Sequence, residues 1–372
     1  MYDDIRPYND AETVAALKRA SNNRMLEPIS AFLFPGKDPD ILRNTLNTIQ
    51  GVDDFQTRVM YPAVRSILGK TTQGLTFEGL EYFEGGSRFY TMISSHRDIV
   101  LDSAFIQYIF KDHGFPLSEI AVGDNLLYNP FVEDLIRSNR MIKVIRSSNP
   151  REVYETSRSL SSYIRMRLSD EEPASIWISH RNGRTKDGCD QTEQGLLKML
   201  SMSGSTDFKE NLKELHLMPV AVSYEFESCA IKKAYEIYIK KMMGSYIKRP
   251  GEDLESIVMG IAEQKGRVHV AFCEPITDAE LDECAALDKN DRFRRLAAII
   301  DERILSAWRI WPTNRIAVEL LEGREPLDRR ATERFEKYLK GELDSLPRPF
   351  DRRAIRDVLL RIYATPALRK NL

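Results

Sequence analysis

The chain has 372 residues, 42% hydrophobic and 30% charged, a balance that suits an ordinary globular protein with a sizeable core and excludes collagen-like, disordered and disulfide-framework classes. A formal net charge of -2 gives no overall field to attract a polyanion, so no nucleic-acid partner is expected and any phosphate contact must come from local arginines and lysines. Cys189, Cys229, Cys273 and Cys284 lie far apart with no C-x-x-C spacing, so free thiols and no metal site are expected.

The opening stretch MYDDIRPYNDAETV is polar and acidic and lacks the charged-then-apolar order of a secretory signal, which makes a reducing cytoplasm the expected location. Residues 1–74 read as a helical region. Asp10 is placed to cap AETVAALKRA, and PDILRNTLNTIQ and DFQTRVMYPAVRSIL carry apolar residues at three- and four-residue spacing. From Leu75 the pattern changes to short β-like runs alternating with helices: LTFEGLEYF, FYTMISS, a helix from Ile99, SEIAVG, a helix through NPFVEDLIRSN, then MIKVIRS, ASIWIS, LMPVAVSYEF and RVHVAFCEP. Strands alternating with helices predict an α/β domain over 75–280. Residues 281–372 read as a C-terminal helical region with ELDECAALDK just before and across its start, RFRRLAAIIDERILSAW and TERFEKYLKGEL within it; its RFRR and RPFDRR runs read as solvated faces or ion-pair partners. No stretch approaches the ~20 consecutive apolar residues that span a bilayer. The best, Ile99 to Phe110, is broken by Asp102 and Gln107.

The sharpest local feature is SSHRDIVLD, where the strand FYTMISS gives way to a helix, the place where sites collect in α/β sheets. With Asp98 as the helix cap, Asp102 falls on the first turns and His96 in the loop before it, so the two can converge. A histidine held by a carboxylate is the minimal general base; the bland alternative is a capped loop with a surface histidine. A second feature, Trp177 to Gly188, runs from a strand into a basic, Gly-containing turn whose Arg184, Lys186 and backbone N–H groups suit a phosphate, although a solvated charged loop has the same composition. A third, Ala121 to Asn125, ends a strand in a turn and leads on to Arg146 and Arg151.

In this order the three features resemble the glycerol-phosphate and lysophosphatidate acyltransferases, over about residues 75–280. The matching stretches are His96 to Asp102, Met141 to Arg151, Ile178 to Gly188, Met218-Pro219-Val220-Ala221-Val222, and VHVAFCEPIT with its Glu-Pro-Ile ending. The resemblance implies a central mixed sheet flanked by helices. It also implies transfer of a fatty acyl group from acyl-coenzyme A or acyl carrier protein to a hydroxyl of a glycerophosphate or lyso-lipid, with no metal or organic cofactor. His96 would be the base with Asp102 its partner; Arg97, Arg146, Asn182, Gly183, Arg184 and Lys186 would lie against the substrate. Two departures stand out. Five residues separate His96 from Asp102 where the family has four, which leaves Asp98 as the alternative partner, and Asn182 stands where the family carries Glu, with the turn one residue shorter before Arg184. A non-catalytic lipid or acyl-donor binding relative and a thioesterase are the alternatives.

A lipid substrate would require a peripheral seat on the membrane surface. In KKAYEIYIKKMMGSYIKR, residues Tyr235, Tyr238, Ile239, Met242, Met243 and Tyr246 share one helical face with lysines around it, as an interfacial helix needs. A core-facing helix with snorkelling lysines reads the same way.

Overall fold

Strands buried on both faces need no polar alternation, and TMIS and LMPVAVSY are buried at every position. They are the central strands of a seven-stranded sheet. In the computed structural model, which describes residues 2–371 apart from 35, 39, 87, 128, 348 and 349, the strands are β1 (Thr72–Glu78), β2 (Thr91–Ser94), β3 (Glu119–Gly123), β4 (Met141–Val144), β5 (Ile176–Ser179), β6 (Leu217–Tyr224) and β7 (Gly266–Phe272). Their order is β1-β7-β6-β2-β5-β3-β4. The five from β6 to β4 are parallel, β7 is antiparallel to β6, and β1 is parallel to β7. The fold is α/β with a mixed sheet flanked by helices. Five neighbouring strands therefore bring their carboxyl ends to one edge, where the loops after them can share a site.

The principal helices are α1 (Asp10–Ser21), α2 (Tyr61–Thr71), α3 (Leu101–Asp112), α4 (Pro130–Ser138), α5 (Pro150–Ser169), α6 (Ala230–Met243), α7 (Glu252–Ala262), α8 (Asp291–Ala307), α9 (Pro312–Leu321), α10 (Arg329–Asp344) and α11 (Arg352–Arg369), with shorter helical segments between them. Period-two alternation divides each central strand between two cores. Met92, Trp177, Met218, Val220 and Val222 face α2 and α3, whose Ile67, Leu101, Phe105 and Ile109 fill that side. Ile93, Ile176, Ile178 and Ala221 face α5 and α8 through Ile164, Leu168, Ile300 and Ile304. Phe105 and Phe110 are almost wholly buried, and each such side chain contributes about 1.5–3 kcal/mol of burial. α8, although it lies past residue 280, thus shares the core of the sheet; α9, α10 and α11 pack instead on the first half of α6.

Four local readings change. Asn9 rather than Asp10 caps α1, in a box with Glu12, and the Asp10 carboxylate accepts the Val52 N–H at 2.8 Å, fastening α1 to the short helical segment Val52–Phe55. LTFEGLEYF is strand only as far as Glu78, because Gly79 in a left-handed conformation turns the chain into a short 3-10 segment, Leu80–Phe83. α3 begins at Leu101 instead of Ile99. The single apolar face expected on KKAYEIYIKKMMGSYIKR is divided: Tyr235 packs against Phe350 and Tyr246, and Tyr238 joins the C-terminal core, whereas Met242, Met243 and Ile247 are exposed. Arg348 and Pro349, which open the RPFDRR run, Pro39 at the head of PDILRNTLNTIQ, and Met1 lie outside the described residues.

Candidate active site

β2 ends at the buried Ser94, and the buried Ser95 after it fixes the turn to β6: Ser95 N–H donates to Val220 O at 2.9 Å, and Val222 N–H donates to Ser95 Oγ at 2.9 Å. His96 follows, with 13% of its side chain exposed, its ring edge-on to Trp177 at 5.7 Å. Its Nδ1 lies 3.0 Å from Asp102 Oδ2. The same oxygen accepts the backbone N–H groups of Arg97 at 2.6 Å and Asp98 at 2.9 Å, and Tyr224 Oη donates to Asp102 Oδ1 at 2.7 Å. Four donors converge on one buried carboxylate, so Asp102 acts as a fixed acceptor. This arrangement selects the tautomer with the proton on Nδ1 and leaves Nε2, which bonds no protein atom among the described residues, to accept a proton. Burial, and next the charge of Asp102, push the Tyr224 phenol well above its ordinary range, so it stays a donor.

Asp98 has a different task. Its Oδ1 accepts the N–H groups of Val100 and Leu101, both at 2.8 Å, and its Oδ2 accepts from the Ser228 hydroxyl. The extra residue between His96 and Asp102 is taken up by this capped turn, which delays the helix to Leu101 and still carries Asp102 back to His96. The pair is His96 with Asp102; Asp98 makes no bond to the ring.

The remaining candidates separate into engaged and available groups. Arg97 is 1% exposed: its guanidinium pairs with Asp190 at 2.7 Å and Glu227 at 3.4 Å, donates to Gly188 O at 3.2 Å and stacks over Trp308. Lys233 completes the cluster, with Nζ 2.6 Å from Glu227 and 2.7 Å from Arg97 O. Arg97 thus has no face for a substrate, contrary to expectation, and instead ties the His96 turn to the loops after β5 and β6. Lys186 is paired with Glu236 on α6, which also holds Lys240 at 2.9 Å. Burial lowers the Lys186 ammonium despite that partner.

Arg184, unlike Arg97 and Lys186, forms no ion pair among the described residues. Its neighbour Thr185 donates its N–H to His96 O at 2.7 Å, which sets the basic turn beside the histidine. The Nη1 of Arg184 is buried with no hydrogen-bond partner among the described residues. Its charge helps, after the bond and charge of Lys248, to hold the Asp253 carboxyl below the usual range against the opposing effect of burial. Asn182 and Gly183 are exposed at the tip of the turn, where Gly183 takes the left-handed φ of +76° that a side chain would resist. The Asn182 N–H donates to Glu193 Oε2 at 3.2 Å, so a carboxylate does stand beside the turn, supplied eleven residues later. Arg146 is exposed at the end of β4, with its N–H bonded to Asp124 at 3.1 Å. Its guanidinium lies so close over Gly123 that a Cβ there would sit 2.7 Å from Nη2. It reaches over the carboxyl end of β3, two strands from β2.

Sequence reasoning missed Tyr224, Ser228, Asp190, Glu227 and Lys233. One signal was present: SYEFES follows the apolar run LMPVAV with polar residues at the end of β6 and just past it, at the carboxyl edge where buried polar side chains need partners. Clefts of about 470 and 420 Å³ lie along β1, the first against α2 and α3 and the second against Arg309 and Trp311; no residue of the His96 turn lines either. Among the described residues no helix is long and apolar enough to cross a membrane, and no group of three or more His, Cys, Asp or Glu is arranged to hold a metal ion.

No family model matches the chain, and no curated protein matches it. Among solved structures it is similar to the crystal structure of the 1-acyl-sn-glycerophosphate (LPA) acyltransferase PlsC from Thermotoga maritima, with 11% sequence identity, 81% of this chain and 98% of that chain covered, and a TM-score of 0.37. A likeness of that size carries no argument about activity, which rests on the residues of the site.

Proposed function

We propose that the protein transfers a fatty acyl group from a thioester, acyl-coenzyme A or acyl carrier protein, to a hydroxyl of a glycerophosphate or lyso-lipid. The observation that carries the reading is the His96–Asp102 pair at 3.0 Å, with Nε2 unbonded and the Arg184 turn fastened to His96 O. In this reading Nε2 removes the acceptor hydroxyl proton as the oxygen attacks the thioester carbonyl. The tetrahedral oxyanion then collapses, the carbon–sulfur bond breaks, and the leaving thiolate takes the proton from the imidazolium. No acyl-enzyme is formed, so no nucleophilic serine elbow is required. Asp102 stabilises the imidazolium, and Arg184, with Arg146 further out, holds an acceptor phosphate. Binding at the membrane surface from the cytoplasmic side fits substrates of this kind.

The test is transfer from labelled acyl-coenzyme A and acyl carrier protein to a panel of glycerol-3-phosphate, lysophosphatidate and other lyso-lipids, with wild type beside His96→Ala. Acylated acceptor that vanishes in the variant supports the reading. Free fatty acid as the sole product points to a thioesterase, and bound but unconsumed donor to a non-catalytic relative; either outcome sinks it.

A further inference from the structure

Gln73 and Thr76 of β1, Arg267 of β7, Arg309, Trp311 and Pro312 line a cleft of about 420 Å³ that shares no residue with the His96 and Arg184 turns. β1 lies three strands from β2. Trp311 belongs to the core that Ile300 and Ile304 of α8 fill, whereas Trp177 beside His96 faces α3, so the cleft sits on the other face of the sheet. Among the described residues its lining holds no carboxylate. Arg309 is exposed and forms no ion pair among them; its Nη1 reaches the Thr76 hydroxyl at 3.4 Å. The guanidinium groups of Arg267 and Arg309 lie 4.8 and 5.8 Å from the centre of the Trp311 ring. Arg267 has a partner in Glu225, but this buried carboxylate also holds Arg334, so one negative charge serves two cations. Glu78, the one acid of β1, lies 3.6 Å from His269 and outside the lining. Two further features favour an anion. α9 starts at Pro312, which brings the positive end of a ten-residue helix to the cleft. Trp311 is 5% exposed, and its indole N–H, in the cleft wall, has no hydrogen-bond partner among the described residues.

We infer that this cleft is a binding site for a soluble phosphate ester, with Arg309 and Arg267 meeting the phosphate and the Gln73 amide beside them. Arg267, Arg309 and Arg334 against Glu225 leave an excess of two positive charges. A phosphate monoester carries about 1.5 to 2 negative charges at neutral pH and offsets that excess. Its oxygens also match the planar fork of an arginine, as a single carboxylate does with less charge. The volume exceeds what a bare phosphate needs and falls within the roughly 300–1,000 Å³ of small-ligand sites. Two sources share this chemistry: the phosphates of a coenzyme A donor and a separate phosphorylated metabolite. The first source rests on the acyl-transfer reading; the site itself does not.

The experiment is isothermal titration of the full chain with inorganic pyrophosphate at low salt. Because the Arg184 turn is itself proposed to hold phosphate, Arg184→Ala serves as the reference protein, and Arg309→Ala and, separately, Gln73→Glu are added to it. Both added positions are exposed, and thermal unfolding verifies that each variant is folded. Expected is pyrophosphate binding by the reference that weakens at least about tenfold with either added substitution and with added salt. A reference protein that binds no pyrophosphate, or binds it equally well after Arg309→Ala, overturns the proposal. So does succinate bound as tightly as pyrophosphate, since the cleft would then be a carboxylate site. Repeating the titration in saturating coenzyme A names the source: displacement assigns the phosphate to the donor, undisturbed binding assigns it to a separate metabolite, and both results support the site. Absence of acyl transfer in wild type would strike the catalytic reading and leave the titration standing.

Discussion

Tyr224 donates a 2.7 Å hydrogen bond to Asp102 from a strand 122 residues further along the chain. This contact orients the carboxylate from the side opposite His96, and with the N–H groups of Arg97 and Asp98 it leaves Asp102 a single position. Tyr224→Phe keeps the buried ring and removes only the donor. A hydrogen bond to a charged group contributes about 1.5–3 kcal/mol, so kcat should fall by about 10- to 100-fold with KM nearly unchanged. Because the phenol stays protonated well above its ordinary range, it should add no alkaline limb of its own to the wild-type rate profile. A Phe variant with full kcat would show that Asp102 needs no second anchor.

The two aspartates near His96 should separate by substitution. Asp102→Asn puts an amide where the ring and two backbone N–H groups require an acceptor, so the tautomer is disturbed and kcat should drop by about 10²–10⁴-fold. Asp98→Asn retains an oxygen for the Val100 and Leu101 N–H groups and weakens the bond from Ser228. The expected cost is about 1 kcal/mol of stability, with kcat within a few-fold of wild type. Equal kinetic losses in both variants would contradict this division of roles.

Arg97 tests the structural side of the same turn. Burial works against its charge, yet Asp190 and Glu227 more than offset that, and the guanidinium brings the Asp190 carboxyl below its ordinary 3.8 although burial pushes it up. Removing one member of a buried pair leaves the other uncompensated, so Arg97→Met should lose about 3–5 kcal/mol in denaturant unfolding. Asp190 takes up its proton less readily when folded, so its contribution is present above pH 3.8 and disappears as pH falls through the still lower folded value. A loss under about 1 kcal/mol in Arg97→Met would mean that the cluster is replaceable by packing alone.

His180 gives a milder pH dependence. It is fully buried, its Nδ1 lies 2.7 Å from Ser94 O, and burial lowers its proton affinity below the ordinary 6.5. The unfolded chain therefore binds this proton more readily, and stability must decline as pH drops below 6.5 until the folded value is reached. His216 and His269 are lowered in the same direction, also chiefly by burial, and add to the slope. Unfolding free energy followed from pH 7.5 to pH 5 should fall, and His180→Asn should flatten the profile, since Asn carries no proton to exchange. An unchanged slope in the variant would assign the whole effect to the other two histidines.

The buried strands were legible because each is a short apolar run bounded by polar turns and needs no long-range information to declare itself, whereas the mostly exposed edge strand β1, TQGLTFE, was legible only from Leu75. The His96 turn was legible because a strand end, a histidine and two aspartates fall within nine residues. The fate of the cations was not. Arg97 and Arg184 look equivalent in sequence, each flanking a histidine or its turn, but Arg97 meets Asp190 and Glu227, which lie 93 and 130 residues away. Only the fold brings those carboxylates into reach. Asn9 replaced Asp10 as a cap for a similar reason: Asp10 is occupied by Val52, a contact across 42 residues.

Arg184 carries the last prediction. Its Nη1 is buried without a hydrogen-bond partner among the described residues, whereas Lys186 in the same turn is held by Glu236. A guanidinium with such a nitrogen to offer is suited to a bidentate contact with a phosphate, worth about 1.5–3 kcal/mol when formed. Arg184→Ala should therefore raise KM for a phosphorylated acceptor by about 10- to 100-fold while leaving KM for the acyl donor and the unfolding midpoint close to wild type. Arg184→Lys should recover only part of the loss, since an ammonium cannot reproduce the planar fork. Lys186→Ala should act mainly on stability, because its loss leaves Glu236 with Lys240 alone. If the Lys186 variant shows the larger rise in acceptor KM, the phosphate is held by the lysine and the assignment of Arg184 is wrong.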